Sequence, residues 1–384
     1  MKPAIHSTID YQNISTFKGL NSLRFIAAFL VLMHHSESIK KKSGLESFDW
    51  LGLFRNGGNA VTFFFVLSGF LITYLLLKEN KQTGHVSIKN FYLKRVLRIW
   101  PLYFLLVLTG TVIIPIVFSV AHINYQMPYT LGETWYYFVF FLPGLVTLFF
   151  GHHLLEPLWS IGVEEVFYLI WAPLFKFCRK SILTLLISVI IIKLILRILC
   201  LHYIQNELFN YIVSTFQFEA MAIGGLGAYF IYTKGNLITQ LKIFTIPSQL
   251  LIIFTLLTFL VFHSNIDFML WNVIFKTPIL SSIILDILFL YLIICVSVID
   301  QSIINIESKT LSYLGEISYG IYMYHVLIIF TTLQLLKNQL LQLSSPWSHI
   351  AFYAIVSALT ILTAALSKRI FEDYFLKMKT KLIR

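Results

Sequence analysis

The feature that most constrains this chain is a series of apolar runs that recur between residues 20 and 366, with only short polar breaks between them. Many of these runs approach the length of about 20 apolar residues that a helix needs to cross a bilayer. Hydrophobic residues make up 58% of the 384 residues and charged residues only 12%, which is unusual for a soluble globular protein. The sequence therefore predicts an all-α, polytopic membrane protein.

About ten runs are predicted as transmembrane helices. Their bounds are residues 20–33, 61–77, 99–120, 158–175, 182–201, 211–232, 243–262, 279–299, 311–333 and 350–366. An eleventh run at residues 135–150 is short and interrupted by Pro143 and Gly144, so it is predicted as a re-entrant or interfacial segment. We expect the first run to be retained rather than removed as a signal peptide, because Arg24 lies inside it and no small-residue cleavage site follows.

Basic residues collect on one side of this topology, mainly at residues 78–98, 176–180, 234–242 and 368–384. Since cytoplasmic loops are rich in Lys and Arg, both termini are predicted to be cytoplasmic. We expect a cytoplasmic N-terminal segment at 1–18, a transmembrane domain at 19–370 and a basic cytoplasmic tail at 371–384. The exceptions are Lys40, Lys41, Lys42 and Arg55, which fall in a predicted outer loop. The net charge of +11 is therefore attributed to membrane topology, and no nucleic-acid partner is expected.

The first predicted span contains Arg24 and His35, eleven residues apart. This spacing places both side chains on one helix face, about 16 Å apart along the axis. An arginine inside a span is costly unless it is paired or hydrated, so Arg24 is a candidate functional residue; the alternative is a side chain that extends to the inner interface. His35, near the outer surface, is a candidate general base, and the alternative is an interfacial histidine.

Two further pairs of charged residues lie at span ends. Arg95 and Arg98, three residues apart at the cytoplasmic start of the third span, could form a fork for phosphate oxygens, or could simply mark the cytoplasmic side. Glu164 and Glu165 enter the fourth span near its outer end, where carboxylates are expected to face a cavity or a partner. Either glutamate could orient His35, or could pair structurally with an arginine or histidine.

The remaining motifs point to packing when each is taken alone. Ser68 and Gly69 in the second span predict close helix packing, and His325 in the ninth span is expected to be a packing element. Cys178, Cys200 and Cys295 are far apart and show no metal-ligand spacing, so no metal site is predicted.

Five segments in the same order resemble the acyltransferase-3 family of bacterial membrane O-acyltransferases. They are Leu23-Arg24 with His35; Phe65-Val66-Leu67-Ser68-Gly69-Phe70; Arg95-x-x-Arg98-Ile99-x-Pro101-x-Tyr103; Trp159-Ser160-x-x-Val163-Glu164-Glu165-x-Phe167-Tyr168; and Ser318-Tyr319-x-Ile321-Tyr322-x-x-His325. Any one segment is weak, but their order and spacing make the resemblance specific. One departure is Glu372-Asp373-Tyr374 at a position where the family often has Glu-x-Pro, which leaves the role of Glu372 open.

The resemblance implies a transmembrane acyltransferase domain in a bacterial inner (plasma) membrane. It implies acyl-CoA, by default acetyl-CoA, as a cytoplasmic co-substrate with no bound cofactor, and a hydroxyl of a surface polysaccharide or glycolipid as the acceptor. His35 would be essential, either as a general base or as an acyl relay. The predicted catalytic residues are His35, Glu164 and Glu165, and the predicted substrate-binding residues are Arg24, Arg95, Arg98, Trp159, Ser160, Tyr319 and His325. We expect no fused hydrolase-like domain.

A transporter or flippase for a lipid-linked sugar is the main alternative. In that case Arg24, Glu164 and Glu165 would bind substrate without making a bond. Transfer of a label from acyl-CoA separates the two functions. A structural or sensory membrane protein is a third alternative, but it leaves these charged residues without a purpose.

Overall fold

The computed structural model describes residues 10–123, 125–263 and 265–382. In chain order the first helices are α1 (Leu20–Lys42), α2 (Gly57–Thr83), α3 (Ile88–Leu108), α4 (Ile114–Val120), α5 (Leu131–Val139), α6 (Pro143–Phe150), α7 (Leu158–Phe177), α8 (Ile182–His202) and α9 (Glu207–Thr215). They are followed by α10 (Phe218–Ile238), α11 (Ile246–Phe262), α12 (Met269–Trp271), α13 (Pro278–Ser297), α14 (Lys309–Glu316), α15 (Ser318–Gln342), α16 (Ser345–Ser367) and α17 (Asp373–Leu382). No strand occurs in these three ranges, which confirms the all-α prediction. The first nine residues of the predicted N-terminal segment and the last two of the predicted tail lie outside the described residues.

Seven helical stretches of the described chain are long and apolar enough to cross a membrane. They are Gly57–Thr83, Ile88–Val120, Leu158–Phe177, Ile182–His202, Pro278–Ser297, Ser318–Gln342 and Ser345–Met378. The other three predicted spans correspond to α1, α10 and α11; α11 has only 17 residues, and the other two are less apolar. The multi-pass character is therefore confirmed, and the count of about ten spans stays a prediction.

The segment predicted to be broken, residues 135–150, forms the end of α5 and all of α6. These helices have 9 and 8 residues, so each is about 12–14 Å long and too short to cross a bilayer. Phe141, between them, has a left-handed backbone with φ of 56°, and Pro143 starts α6. The bend packs closely against α7, since a Cβ atom on Gly162 would lie 2.4 Å from the carbonyl oxygen of Phe141. The interruption at Pro143 and Gly144 is therefore present in the fold.

Helix α2 lies at the centre of the bundle and packs most extensively against α10. A Cβ atom on Gly69 would lie 1.9 Å from the carbonyl oxygen of Met221, and one on Gly224 would lie 1.9 Å from that of Val66. The close packing predicted at Gly69 is thus confirmed, because only glycine permits these backbones to approach so closely. Helix α1 packs against α2, α14 and α15, which places its polar side chains inside the bundle.

Candidate active site

A cavity with a volume of about 120 Å³ lies between α1, α2, α3, α7 and α15. Six of the ten predicted site residues line it: Arg24, Arg95, Arg98, Ser160, Glu164 and Tyr319. Ser68, Tyr168 and Tyr322 also contribute to its wall. The cavity has room for several water molecules. The fold therefore brings residues from all five sequence segments to one polar site inside an apolar bundle.

A chain of hydroxyl groups holds Glu164 in the cavity wall. The hydroxyl of Tyr168 donates to Oε2 of Glu164 at 3.0 Å, and Oγ of Ser68 lies 2.6 Å from the same hydroxyl. Because the single proton of Tyr168 is committed to the carboxylate, Ser68 donates to Tyr168. Ser68 was expected to serve packing, and the structure gives it a polar contact in the site instead. A serine beside a packing glycine points about 100° away from it on a helix, which is the signal that could have shown this.

The three arginines keep donors free in this cavity. Nη1 of Arg24 donates to Oδ1 of Asn21 at 3.1 Å. The Arg95 guanidinium lies 5.5 Å from the ring centroid of Tyr168, a cation–π distance, and its buried Nε has no hydrogen-bond partner among the described residues. Arg98 is exposed. Within the described ranges none of the three guanidiniums forms an ion pair with a carboxylate, so the site retains a capacity to bind an anion.

Glu165 and Trp159 lie behind the cavity wall. Nε1 of Trp100 donates to Oε2 of Glu165 at 2.8 Å, while the buried Oε1 of Glu165 has no hydrogen-bond partner in the part of the chain that the structure describes. The ring of Trp159 packs edge-on against Phe65, with 6.1 Å between centroids. The hydrogen bonds of Glu164 and Glu165 thus go to Tyr168 and Trp100. The expectation that one of these glutamates orients His35 is not met in this structure, in which His35 has a different partner.

That partner is His325. Nε2 of His325 lies 3.0 Å from Nδ1 of His35, and His325 is fully buried while His35 is half-buried. His35 Nδ1 is also 3.0 Å from the carbonyl oxygen of Val31, and His325 Nδ1 is hydrogen-bonded to the carbonyl oxygen of Tyr322. The ring of Tyr322 lines the cavity and lies 5.6 Å from the ring of His325. The histidine pair therefore adjoins the arginine cavity through Tyr322.

Ser160 and Tyr319 fix the cavity wall on the α15 side. The Tyr322 hydroxyl donates to the carbonyl oxygen of Pro157 at 3.0 Å and lies 2.7 Å from Oγ of Ser160. The Tyr319 hydroxyl donates to the carbonyl oxygen of Ile99 at 2.9 Å. These bonds tie α15 to α3 and α7 on both sides of the cavity.

A family model described as an acyltransferase domain (Acyl_transf_3) matches residues 17–368. The chain belongs to the acyltransferase-3 family. The matched range contains all ten predicted site residues of this family member.

Similar proteins include a provisionally named O-acetyltransferase of Staphylococcus aureus (strain COL), 31% identical over 166 residues, which are 41% of this chain and 24% of the relative. The provisionally named peptidoglycan O-acetyltransferase YrhL of Bacillus subtilis is 30% identical over 41% of this chain and 23% of its own length. Peptidoglycan O-acetyltransferase OatA of Listeria monocytogenes is 28% identical over 40% of this chain and 23% of its own length. The match thus spans about a quarter of the length of these relatives. No solved structure matches the chain.

This acyltransferase-3 family member also has a buried ionic network that the sequence analysis missed. Nζ of Lys40 lies 2.8 Å from Oε1 of Glu37 and 2.7 Å from Nδ1 of His349, and the Tyr353 hydroxyl donates to Glu37 at 2.5 Å. The network joins the end of α1, just beyond His35, to α16. The glutamate three residues before Lys40 was the available signal.

Proposed function

We propose that this chain is an acyl-CoA-dependent O-acyltransferase of a bacterial plasma membrane, with both termini in the cytoplasm. It would move an acyl group, by default acetyl, to a hydroxyl of a surface polysaccharide or glycolipid. The observation that carries this proposal is a cavity with three arginines whose wall, at Tyr322, contacts a histidine pair that includes His35. Membership of the acyltransferase-3 family and the O-acetyltransferase names of its relatives support the reaction type.

The arginines suit the donor. Planar guanidiniums match phosphate oxygens in geometry and charge, and CoA carries several phosphate oxygens. A volume of about 120 Å³ is far too small for a whole CoA, so the cavity would take the acyl thioester end. The exposed Arg98 would then bind phosphate outside the cavity, with Arg95 and Arg24 deeper along the same path.

His35 is proposed to catalyse the transfer. As the acceptor oxygen attacks the thioester carbonyl carbon, Nε2 of His35 takes the hydroxyl proton. The carbon–sulfur bond then breaks and the proton passes to the sulfur, which gives an ester and the free thiol of CoA. A second route, in which His35 first accepts the acyl group and then passes it to the hydroxyl, forms the same products. Glu164 and Glu165 would provide negative charge beside the arginines, and Trp159, Ser160, Tyr319 and His325 would shape and hold the site.

The test is label transfer in membrane vesicles that contain the protein. Radiolabelled acetyl-CoA is supplied on the cytoplasmic face, and peptidoglycan, the acceptor in the name of the Listeria relative, is the first acceptor on the other face. We expect label on the glycan with the wild-type protein and none with His35→Ala. His34→Ala is the matched control, because Nδ1 of His34 is hydrogen-bonded to the carbonyl oxygen of Phe54 at 3.0 Å and, within the described residues, no hydrogen bond joins His34 to His325. Full activity of His35→Ala would contradict histidine catalysis, and movement of a lipid-linked sugar without label transfer would favour the flippase alternative.

A further inference from the structure

Hydrogen bonds to carbonyl groups fix the proton positions on the two paired histidines. Nδ1 of His325 is bonded to the carbonyl oxygen of Tyr322, and a carbonyl oxygen can only accept, so this nitrogen carries the proton. In a neutral imidazole the other nitrogen, Nε2, then has the lone pair. This Nε2 lies 3.0 Å from Nδ1 of His35. His35 must therefore donate from Nδ1 to His325.

A second contact gives the same assignment independently. Nδ1 of His35 also lies 3.0 Å from the carbonyl oxygen of Val31, one turn earlier in α1. Both neighbours of this nitrogen are acceptors, so it holds a proton shared between them. The lone pair of a neutral His35 is then on Nε2. That atom makes no hydrogen bond within the described part of the chain, and it is not among the buried atoms that lack a partner.

We propose that His325 is a positioning residue for His35, and this proposal rests on the acyltransferase function proposed above. The Tyr322 carbonyl and the His325 ring hold His35 in the tautomer whose Nε2 is free to take a proton. His325 is fully buried, so it acts through His35 and does not contact the acceptor. The residue that supplies this carbonyl, Tyr322, is itself held in place, because its hydroxyl is hydrogen-bonded to Pro157 and Ser160.

The proton count of the reaction is consistent with this role. The hydroxyl proton passes to Nε2 of His35, which makes the ring an imidazolium, and the same proton later leaves for the sulfur of CoA. The proton on Nδ1 of His35 stays in place throughout and donates to His325. Its hydrogen bond becomes charge-assisted when the imidazolium forms, so it stabilises the transition state more than the ground state. His325 itself gains and loses no proton.

Two amide substitutions separate the two nitrogens of His325. His325→Gln can place its amide oxygen near the position of Nε2, where it accepts from His35. His325→Asn can place its amide nitrogen near the position of Nδ1, bonded to the Tyr322 carbonyl, but its side chain is too short to reach His35. We expect the Asn variant to lower kcat for label transfer by about 10- to 100-fold, as for a lost hydrogen bond to a charged group, with little change in the KM for acetyl-CoA. The Gln variant should recover most of this loss.

A spectroscopic measurement reads the tautomer directly and does not depend on activity. Nitrogen NMR of histidine-labelled protein in bilayers should show His35 of the wild type protonated at Nδ1 and unprotonated at Nε2. The Asn variant should show an added population protonated at Nε2, and the Gln variant should resemble the wild type. Equal kcat values for the Asn and Gln variants, or a wild-type His35 without a proton on Nδ1, would contradict the proposal that His325 positions His35. If the wild type transfers no label, the proposed function fails, but the NMR result still decides how the histidines are bonded.

Discussion

Replacing Lys40 with methionine tests whether the buried ion pair beyond His35 stabilises the fold. The Lys40 and Glu37 side chains are only 3% and 1% exposed, and their charged atoms are 2.8 Å apart. Methionine keeps much of the length of the lysine stem but leaves the Glu37 carboxylate buried without its cation. The carboxylate keeps hydrogen bonds from the Tyr353 hydroxyl and the Phe48 backbone, which cannot balance its charge.

Loss of one partner from a buried pair typically costs about 3–5 kcal/mol of the free energy of unfolding. At about 2 °C per kcal/mol, a value for large domains, the melting temperature should fall by about 6–10 °C. The assay is thermal unfolding of the purified protein in detergent, followed by tryptophan fluorescence. The matched control is Lys41→Met, because Lys41 also forms an ion pair, 2.6 Å from Asp49, but is 65% exposed. A surface pair of this kind should contribute less than about 1 kcal/mol.

The double variant Glu37→Gln with Lys40→Met completes the test. It removes both charges, so no uncompensated charge stays buried and much of the lost stability should return. Equal, small decreases in melting temperature for Lys40→Met and Lys41→Met would refute the reasoning, because burial would then make no difference to how much an ion pair stabilises the fold. A double variant that is less stable than Lys40→Met would refute it as well, since the unpaired carboxylate would not be the source of the loss.

Two further predictions concern the donor and the loop before α7. The double variant Arg95→Ala with Arg98→Ala should raise the Kd for acetyl-CoA at least about tenfold, because the charge-assisted hydrogen bonds from both guanidiniums to phosphate would be lost. The measurement is calorimetry, and an unchanged affinity would mean that these arginines only mark the cytoplasmic side of the membrane. Burial lowers the pKa of His153, which lies between α6 and α7, from 6.5 to about 4, so the folded protein keeps this ring neutral where the unfolded chain protonates it. The free energy of unfolding should therefore fall by about 3 kcal/mol as the pH drops from 6.5 to 4, and His153→Phe should lack this component when melting temperatures at pH 7 and pH 5 are compared.

Apolar runs were sufficient to predict the helices, but depth in the membrane was harder to predict. Arg95 and Glu164 were expected near opposite ends of the bundle, and the structure places both at one cavity. Arg95 lies seven residues into α3 and Glu164 six into α7, which is about 10 and 9 Å of helix. In a bundle about 30 Å thick this leaves about 11 Å, most of which two long side chains can cover. Spacing in the sequence gives the backbone position of a residue along a helix, but not how far its side chain extends from that position.

The partner of His35 could not be predicted from either helix alone. His35 and His325 are 290 residues apart, and their contact depends on the packing of α1 against α15. Each histidine had a reasonable local explanation, as an interfacial residue or as a packing element. The signal in the sequence was the presence of two imidazoles in apolar spans. Burying each one is unfavourable unless it has a polar partner, so the two histidines could have been expected to bind each other.

The neighbouring residues Ser68 and Gly69 show how helix packing and the chemistry of the site are linked in this fold. Gly69 lets α2 touch the backbone of α10, and the next side chain around the helix, Ser68, donates to Tyr168, which in turn holds Glu164. A backbone contact that close leaves α2 little freedom to slide or rotate. The position of Ser68, and through it the carboxylate in the cavity, is therefore set by one of the closest backbone contacts in the described part of the bundle. A substitution at Gly69 would then disturb the site from the side that faces away from it.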